Sequence, residues 1–338
     1  MSRDALKTLF YPFEAEALPL PAKGSRALFL GAEPGFRLPD GFGAALSLVQ
    51  GFRPYFASLQ SAGHHVTQRA EGEGYELALV LAGRHRGLNE LRIADAIERT
   101  GEGGTIVVAG GKEDGIASLR KRLGGLVEIA DHLPKYHGTV LWFRRDATAL
   151  AAAAALRADN PDTLVDGRFH TAPGMFSFDR IDTGSRLLVE YLPDDIKGKV
   201  ADFCAGWGYV AAEVAAKAKE LKALELFEAD YDALEAARRN LQVEGMEPRF
   251  HWQDLLKEPV ERRFDMVVMN PPFHQDRDGD PEVGQRMIRA ASAALKPGGR
   301  LYMVANRHLP YQPVLAGAFA WHEELAVEGG FRIWTARR

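Results

Sequence analysis

One short stretch constrains this chain more than any other: F-D-M-V-V-M-N-P-P-F-H, residues 264–274. It opens as an apolar run of strand length, β-branched at Val267 and Val268, and stops at two prolines. A continuous apolar run between breakers reads as a strand buried on both faces. Proline has no N–H to give a sheet ladder, and the residue before it is pushed out of the helical region. Asn270 is therefore predicted to sit extended at the carboxyl end of a buried strand, ahead of a rigid turn. Open α/β sheets bind ligands at that end. Asn270 brings a side-chain carbonyl, the Pro271 carbonyl has no competing helix partner, and two neighbouring acceptors can grip an –NH2 group. Phe273, directly after Pro272, adds a flat face for a planar base. Alone, the stretch is also compatible with a plain turn after a strand.

Bulk properties bound the context. The chain has 338 residues, room for two domains of ordinary size. The net charge of -4 gives no general attraction to nucleic acid, so RNA contacts must rest on local clusters. Residues 1–160 carry 19 Lys+Arg against 18 Asp+Glu, which leaves 23 against 28 in the rest. The single cysteine, Cys204, rules out an internal disulfide or a cysteine-based zinc framework and suits a reducing cytoplasm. No metal site is expected. The first residues lack an apolar signal core, and no run reaches the ~18–20 apolar residues of a membrane span. A cytoplasmic monomer with no membrane contact is the expectation.

Along the chain, strand patterns alternate with helical ones. In the first half strands are expected at residues 25–30, 75–81, 105–109 and 140–143, with helices over 89–100 and 147–156. Residues 1–24 carry scattered prolines and no clear period. Arg157–Asp162 reads as a linker, so the boundary is placed near residue 160. In the second half strands are expected at 199–203, 223–227, 249–252, 264–269 and 300–305. Helices are expected at 210–218, 232–241 and 287–295, with a closing hairpin over 321–327 and 331–336. Residues 275–284 read as a polar loop. Such alternation gives an α/β fold of doubly wound, mostly parallel sheets, the terminal hairpin adding an antiparallel edge. T-G-E-G-G-T-I-V-V-A-G at 100–110 matches L-K-P-G-G-R-L-Y-M-V-A at 295–305. Each follows a helix that follows a buried strand. One strand ends in Leu81-Ala82-Gly83-Arg84, the other in Met269-Asn270-Pro271-Pro272. The chain reads as a duplicated fold, 1–160 and 161–338, whose second copy alone kept its chemistry.

Other strand ends of the second half carry suitable groups. Asp202-Phe203-Cys204-Ala205-Gly206-Trp207-Gly208 is a strand-to-helix turn, with Gly206 and Gly208 allowing tight turning and close approach of a ligand. The helix start beyond it favours a carboxylate. The next strand ends in Glu228-Ala229-Asp230, an acid about 20 residues on, placed to accept two ribose hydroxyls. Glu228 is the first choice and Asp230 the second. Asp254, at the third strand's end, can accept an adenine amino group or cap a helix.

These residues resemble class I S-adenosylmethionine-dependent methyltransferases. More narrowly, the chain resembles the bacterial ribosomal RNA guanine-N2 methyltransferases of the small-subunit methyltransferase C type. The supporting stretches are Pro173-Gly174-Met175-Phe176-Ser177, Asp182-Thr183-Gly184-Ser185-Arg186-Leu187-Leu188 and Ala305-Asn306-Arg307-His308-Leu309-Pro310-Tyr311. The resemblance implies two tandem Rossmann-like methyltransferase domains. It implies S-adenosyl-L-methionine held by Asp202, Ala205, Gly206, Gly208, Glu228, Asp230, Asp254 and Asn270. It also implies methyl transfer to guanine N2, with Asn270, Pro271, Pro272 and Phe273 around the base and ribosomal RNA or a ribosomal subunit as partner. His274 is a structural or base-contacting candidate. Cys204 departs from the glycine the family has there.

Three other readings stay open from the residues: a large-subunit rRNA guanine-N2 methyltransferase, a protein glutamine-N5 methyltransferase with a similar Asn-Pro-Pro-aromatic turn, and a non-catalytic RNA-binding assembly protein. The duplicated first half argues against the glutamine enzyme. The first half carries basic clusters, Arg84 and Arg86, Lys112, and Arg120-Lys121-Arg122. Those point to phosphate contacts or to solvated surface.

Overall fold

The structure is a computed structural model that describes residues 3–272 and 281–338. The chain divides into two compact units. One is Met1–Asp162 with Ala172–Gly174, the other Thr163–Thr171 with Met175–Arg338.

The first unit runs α1 (Asp4–Glu14), β1 (Arg26–Leu30), β2 (Ala45–Val49), α2 (Arg53–Ser61), β3 (Val66–Thr67), β4 (Tyr75–Leu81), α3 (Arg86–Arg99) and β5 (Thr100–Gly111). It continues through α4 (Ile116–Gly124), β6 (Asp131–Lys135), β7 (Gly138–Arg144) and α5 (Ala147–Ala158). The second runs β8 (Thr163–Val165), β9 (Phe169–Thr171), α6 (Thr183–Glu190), β10 (Lys197–Phe203), α7 (Tyr209–Lys217), β11 (Glu220–Glu228), α8 (Tyr231–Asn240) and β12 (Arg249–Trp252). It continues through β13 (Phe264–Met269), α9 (Pro281–Ala294), β14 (Leu295–Asn306), α10 (Gln312–Ala318), β15 (Trp321–Glu328) and β16 (Phe331–Arg337).

Both units build the same seven-stranded sheet. The order is β3-β2-β1-β4-β5-β7-β6 in the first and β12-β11-β10-β13-β14-β16-β15 in the second. Five strands of each are parallel, and the last two form an antiparallel edge. The α/β, mostly parallel, doubly wound reading is thus what the chain adopts, twice.

The two ladders share even an irregularity. Tyr75 pairs with Thr100, and the register then jumps so that Leu77 meets Thr105. Phe264 pairs with Leu295, and the register jumps so that Met266 meets Arg300. A Gly-Gly bulge at the same place in both copies is what duplication leaves behind. The ladders also move the sequence comparison by one residue. With Tyr75 set on Phe264, Val80 falls on Met269, and Leu81, not Ala82, falls on Asn270.

The second unit's sheet is buried between two apolar layers. Val200, Met266, Val268 and Val304 face Leu187, Val210 and Leu234. Ala201, Val267, Met269 and Met303 face Ile288 and Leu315. Each fully buried side chain of this kind stabilises by roughly 1.5–3 kcal/mol. That explains why β13, buried at five of its six positions, stands out in the sequence as a continuous apolar run.

Three expectations change. Residues 4–14 form a helix, with Ala5, Leu6, Leu9, Phe10 and Phe13 buried along one side. Pro12 lies inside it and disguised the period. The loop expected over 275–284 gives way at Pro281, where α9 begins, since proline suits a first helical turn. The remainder of that expectation lies outside the described residues. The short strands β2, β3 and β6 were not anticipated; their mixed burial leaves no continuous apolar run.

Candidate active site

The site is built at the carboxyl ends of β10, β11 and β13. β10 ends in Asp202-Phe203, and the chain turns sharply at Cys204 with φ +59°. That is the left-handed region where a side chain costs about 1–2 kcal/mol. A glycine at this position would carry no such strain. The first unit confirms the equivalence: Gly31 follows β1 with φ +71°. Ala32 N–H then donates to Val49 O as Ala205 N–H does to Phe227 O, 3.2 Å each.

Gly206 (φ +53°) and Gly208 (φ +90°) carry the turn into α7, for different reasons. A Cβ on Gly208 would lie 3.1 Å from Ala237 Cβ and 3.3 Å from its Cα, so this glycine lets α7 pack on α8. A Cβ on Gly206 would meet nothing within 4 Å. Its open side belongs to a cleft lined by Phe176, Asp182, Ser185, Asp202, Gly206 and Asn270, among others, with Ala205 also in its wall.

The cleft is acidic. Asp202 is 1% exposed, and its Oδ2 has no hydrogen-bond partner among the described residues. Burial drives its carboxyl well above the usual range, against the pull of the Ala211 N–H, and Glu228 adds to the rise. Glu228 ends β11. Its Oε2 accepts from Gly206 N–H at 2.8 Å and its Oε1 from Ala229 and Asp230 N–H at 2.8 and 2.9 Å. Burial still outweighs these bonds and raises its carboxyl. Asp230 caps α8 through Oδ1 and Ala233 N–H at 3.0 Å, and burial raises it to about 7. Asp202 lines the cleft and Glu228 and Asp230 stand behind its glycine turn, so the surround repels anions and welcomes a cation.

Asn270 leaves β13 with its amide fixed. Nδ2 donates to Asp182 Oδ2 at 3.1 Å and to Ser185 Oγ at 2.8 Å. Asp182 also caps α6, accepting from Ser185 N–H at 2.8 Å. Gly184 between them has no room for a Cβ, because Phe331 would lie 2.9 Å from it. Pro271 follows buried and Pro272 exposed. Phe273 and His274 lie outside the described residues.

The structure thus brings Asp202, Ala205, Gly206 and Asn270 together in the cleft, with Glu228 bonded to the Gly206 N–H but outside the cleft lining. Gly208 lies behind them as a packing residue. Asp230 has the capping task instead of an open carboxylate. Asp254, 5% exposed, closes a turn by accepting from Leu256 N–H at 3.0 Å and is not among the residues lining the cleft. Sequence reasoning named Asp182 and Ser185 only within a longer stretch, and their bonds to a residue more than 80 positions away left no local signal. Trp207 was visible between its glycines. Its Nε1–H donates to Phe176 O at 2.8 Å and ties the loop before α6 onto the glycine turn. Phe176 itself is 55% exposed.

The corresponding strand ends of the first unit are closed. Gln50 stands at the position of Glu228, its Nε2 donating to Ala32 O. Glu33 stands at the position of Gly206 and takes the Arg3 guanidinium at 2.9 Å; Arg3 also reaches Asp114 and Ala82 O. Side chains fill there the space that the second unit leaves open.

Residues 166–335 match the family model for the methyltransferase small domain. Ribosomal RNA small subunit methyltransferase C of Klebsiella pneumoniae subsp. pneumoniae is 34% identical over 237 residues, 69% of this chain and 67% of that relative. The chain belongs to this methyltransferase family. Another of its members, ribosomal RNA small subunit methyltransferase C of Salmonella newport, is 37% identical over 171 residues, 50% of this chain and 49% of that one. Among solved structures, a T. thermophilus 16S rRNA N2 G1207 methyltransferase in complex with AdoMet and guanosine superposes with a TM-score of 0.77 at 23% identity. The match covers 99% of this chain and 91% of that one, and it shows that the family member described here has the same fold.

Proposed function

We propose that the second unit transfers a methyl group from S-adenosylmethionine to the exocyclic N2 of a guanine in small-subunit ribosomal RNA, and that Asn270 presents the acceptor for that amine. The observation that carries the reading is the fixed amide. Both Asn270 N–H groups are spent on Asp182 and Ser185, so Oδ1 is the atom left for an incoming amine. Membership in the methyltransferase C family supplies the substrate class.

The chain's residues fit the cofactor. Asp202 offers a buried, unpartnered carboxylate oxygen, Gly206 an open approach and Glu228 two oxygens beside the glycine turn. The acidic surround suits a sulfonium and an ammonium. The bound cofactor supplies an electrophilic methyl group on sulfur. Asn270 Oδ1 and the Pro271 carbonyl accept the N2 hydrogens. That draws the nitrogen lone pair out of conjugation and stabilises the positive charge growing on nitrogen. With the cofactor bound, nitrogen would gain the methyl group as the carbon–sulfur bond breaks and its electron pair stays on sulfur; the nitrogen then loses one proton to water, so no general base is required. The base must leave its stack to reach Asn270. Catalysis is then mostly placement of two partners in line.

The first unit is a degenerate copy that handles RNA or braces the second. Gln50 and the Arg3–Glu33 pair occupy the positions where the second unit has Glu228 and the open side of Gly206, and its basic side chains suit phosphates. The chain acts as a cytoplasmic monomer; among the described residues no helix is long and apolar enough to cross a membrane. Asn270→Ala tests the site. It should lower kcat about 10²–10³-fold while leaving cofactor affinity nearly unchanged. A variant that keeps more than about a tenth of the wild-type rate removes Asn270 from the mechanism.

A further inference from the structure

We infer that Asp182 and Ser185 are positioning residues for methyl transfer, which set the Asn270 amide with its carbonyl towards the target amine. The inference rests on the methyl-transfer reading above and deepens it.

An asparagine amide has two faces of opposite polarity and can turn over by rotation about its last bond. Presented the wrong way round, Asn270 would offer an –NH2 to the guanine –NH2, a donor against a donor. Something must select the orientation. β13 and the proline turn fix the backbone but not this rotation. The side chain's neighbours from α6 fix it. Asp182 Oδ2 is a carboxylate oxygen, which accepts and cannot donate, 3.1 Å from Asn270 Nδ2. Turning the amide over would set Oδ1 against that carboxylate. Ser185 Oγ, 2.8 Å away, takes the second N–H.

The selecting pair is itself held. Asp182 is the N-cap of α6, with its Oδ2 on Ser185 N–H at 2.8 Å, so one oxygen atom both ends the helix and orients the asparagine. Ser185 is 8% exposed. Gly184 keeps this first turn of α6 close to Phe331 and so fixes its distance from the sheet. Hydrogen bonds given by the amide nitrogen also polarise the carbonyl and make Oδ1 a stronger acceptor. The D-x-G-S pattern at 182–185 thereby has a chemical reason for each residue: the acid as cap and orienter, the glycine for approach, the serine as second acceptor.

Two variants test this in the full chain. Asp182→Asn keeps a good helix cap, because asparagine caps as well as aspartate, but no longer forces the amide orientation. Ser185→Ala removes one acceptor. Single-turnover transfer of labelled methyl should slow roughly 10- to 100-fold for Asp182→Asn and about 3- to 10-fold for Ser185→Ala. The KM for RNA and Tm should stay near wild type. In an Asn270→Ala background either change should cost less than about twofold more, since nothing remains to orient. A wild-type rate in both variants overturns the inference, as does the same fractional loss with and without Asn270. If the wild-type chain methylates no guanine, the underlying reading fails instead.

Discussion

Gly206 and Gly208 lie two residues apart in one turn, and alanine at each should fail differently. At Gly208, φ is +90° and the new Cβ would lie 3.1 Å from Ala237 Cβ and 3.3 Å from its Cα. The left-handed strain costs about 1–2 kcal/mol, and overpacking against helix backbone, which cannot swing away, adds about 1–3 kcal/mol. Gly208→Ala should therefore lose roughly 2–5 kcal/mol, a large share of the ~5–15 kcal/mol that holds a domain together. At Gly206, φ is +53° and the Cβ meets nothing. Only the strain remains, about 1–2 kcal/mol, or a few degrees in Tm for a domain of this size. The new methyl instead enters the cleft that Asp202 and Asn270 border. Thermal denaturation and calorimetric titration with S-adenosylhomocysteine separate the two effects. Gly206→Ala should stay folded and bind the ligand at least about tenfold more weakly, the ~1.4 kcal/mol that one misplaced methyl readily costs. Undiminished affinity in Gly206→Ala would refute the placement of the cofactor over this glycine. A Gly208→Ala protein as stable as wild type would refute the packing argument.

Two further outcomes follow from charge. Asp230 is raised from 3.8 to about 7, so its contribution to stability is fully present below pH 3.8 and is lost as pH rises through about 7. Roughly three units at ~1.4 kcal/mol each bound the loss at about 4 kcal/mol. Asp230→Asn, which keeps the α8 cap, should thus gain stability relative to wild type between about pH 4 and 7 and level off above it in parallel melts, and a constant difference across that window would contradict the raised carboxyl. In the first unit, the double change Arg84→Ala, Lys112→Ala should weaken RNA binding and flatten its salt dependence while cofactor affinity and Tm hold, Arg86 being kept because its guanidinium pairs with the buried Glu90. A collapse of Tm with RNA affinity per folded molecule intact would make this unit a brace.

Most of the fold was legible because its central strands are buried on both faces. Tyr75–Leu81 and Phe264–Met269 take the bounds that their apolar runs and flanking breakers suggest. Edge strands were legible unevenly: β12 and β15 of the second unit were expected, whereas β3 and β6 of the first were not, since β6 buries none of its residues fully and reads like a loop. The duplication showed in the sequence, but its register did not. Only the matching jumps at Leu77 and Met266 put Leu81, rather than Ala82, on Asn270. At the site, residues that act from their own strand end could be named from local pattern, as with Glu228 and Asn270. What orients them could not. The Asn270 bonds to Asp182 and Ser185 span 88 and 85 positions, and only the folded sheet brings α6 to the end of β13. Cys204 is the reverse case. A residue that looked like a departure from pattern adopts the left-handed backbone the pattern requires, and bears its strain.

The most direct measurement is the chemical position of the transferred methyl group. Small ribosomal subunits or 16S rRNA lacking the modification would be incubated with the full chain and labelled S-adenosylmethionine, then digested to nucleosides and resolved by mass spectrometry. The account predicts N2-methylguanosine as the labelled product, at a rate that falls about 10²–10³-fold in Asn270→Ala. Label on another base, label on a protein glutamine, or no transfer by the wild-type chain would contradict it.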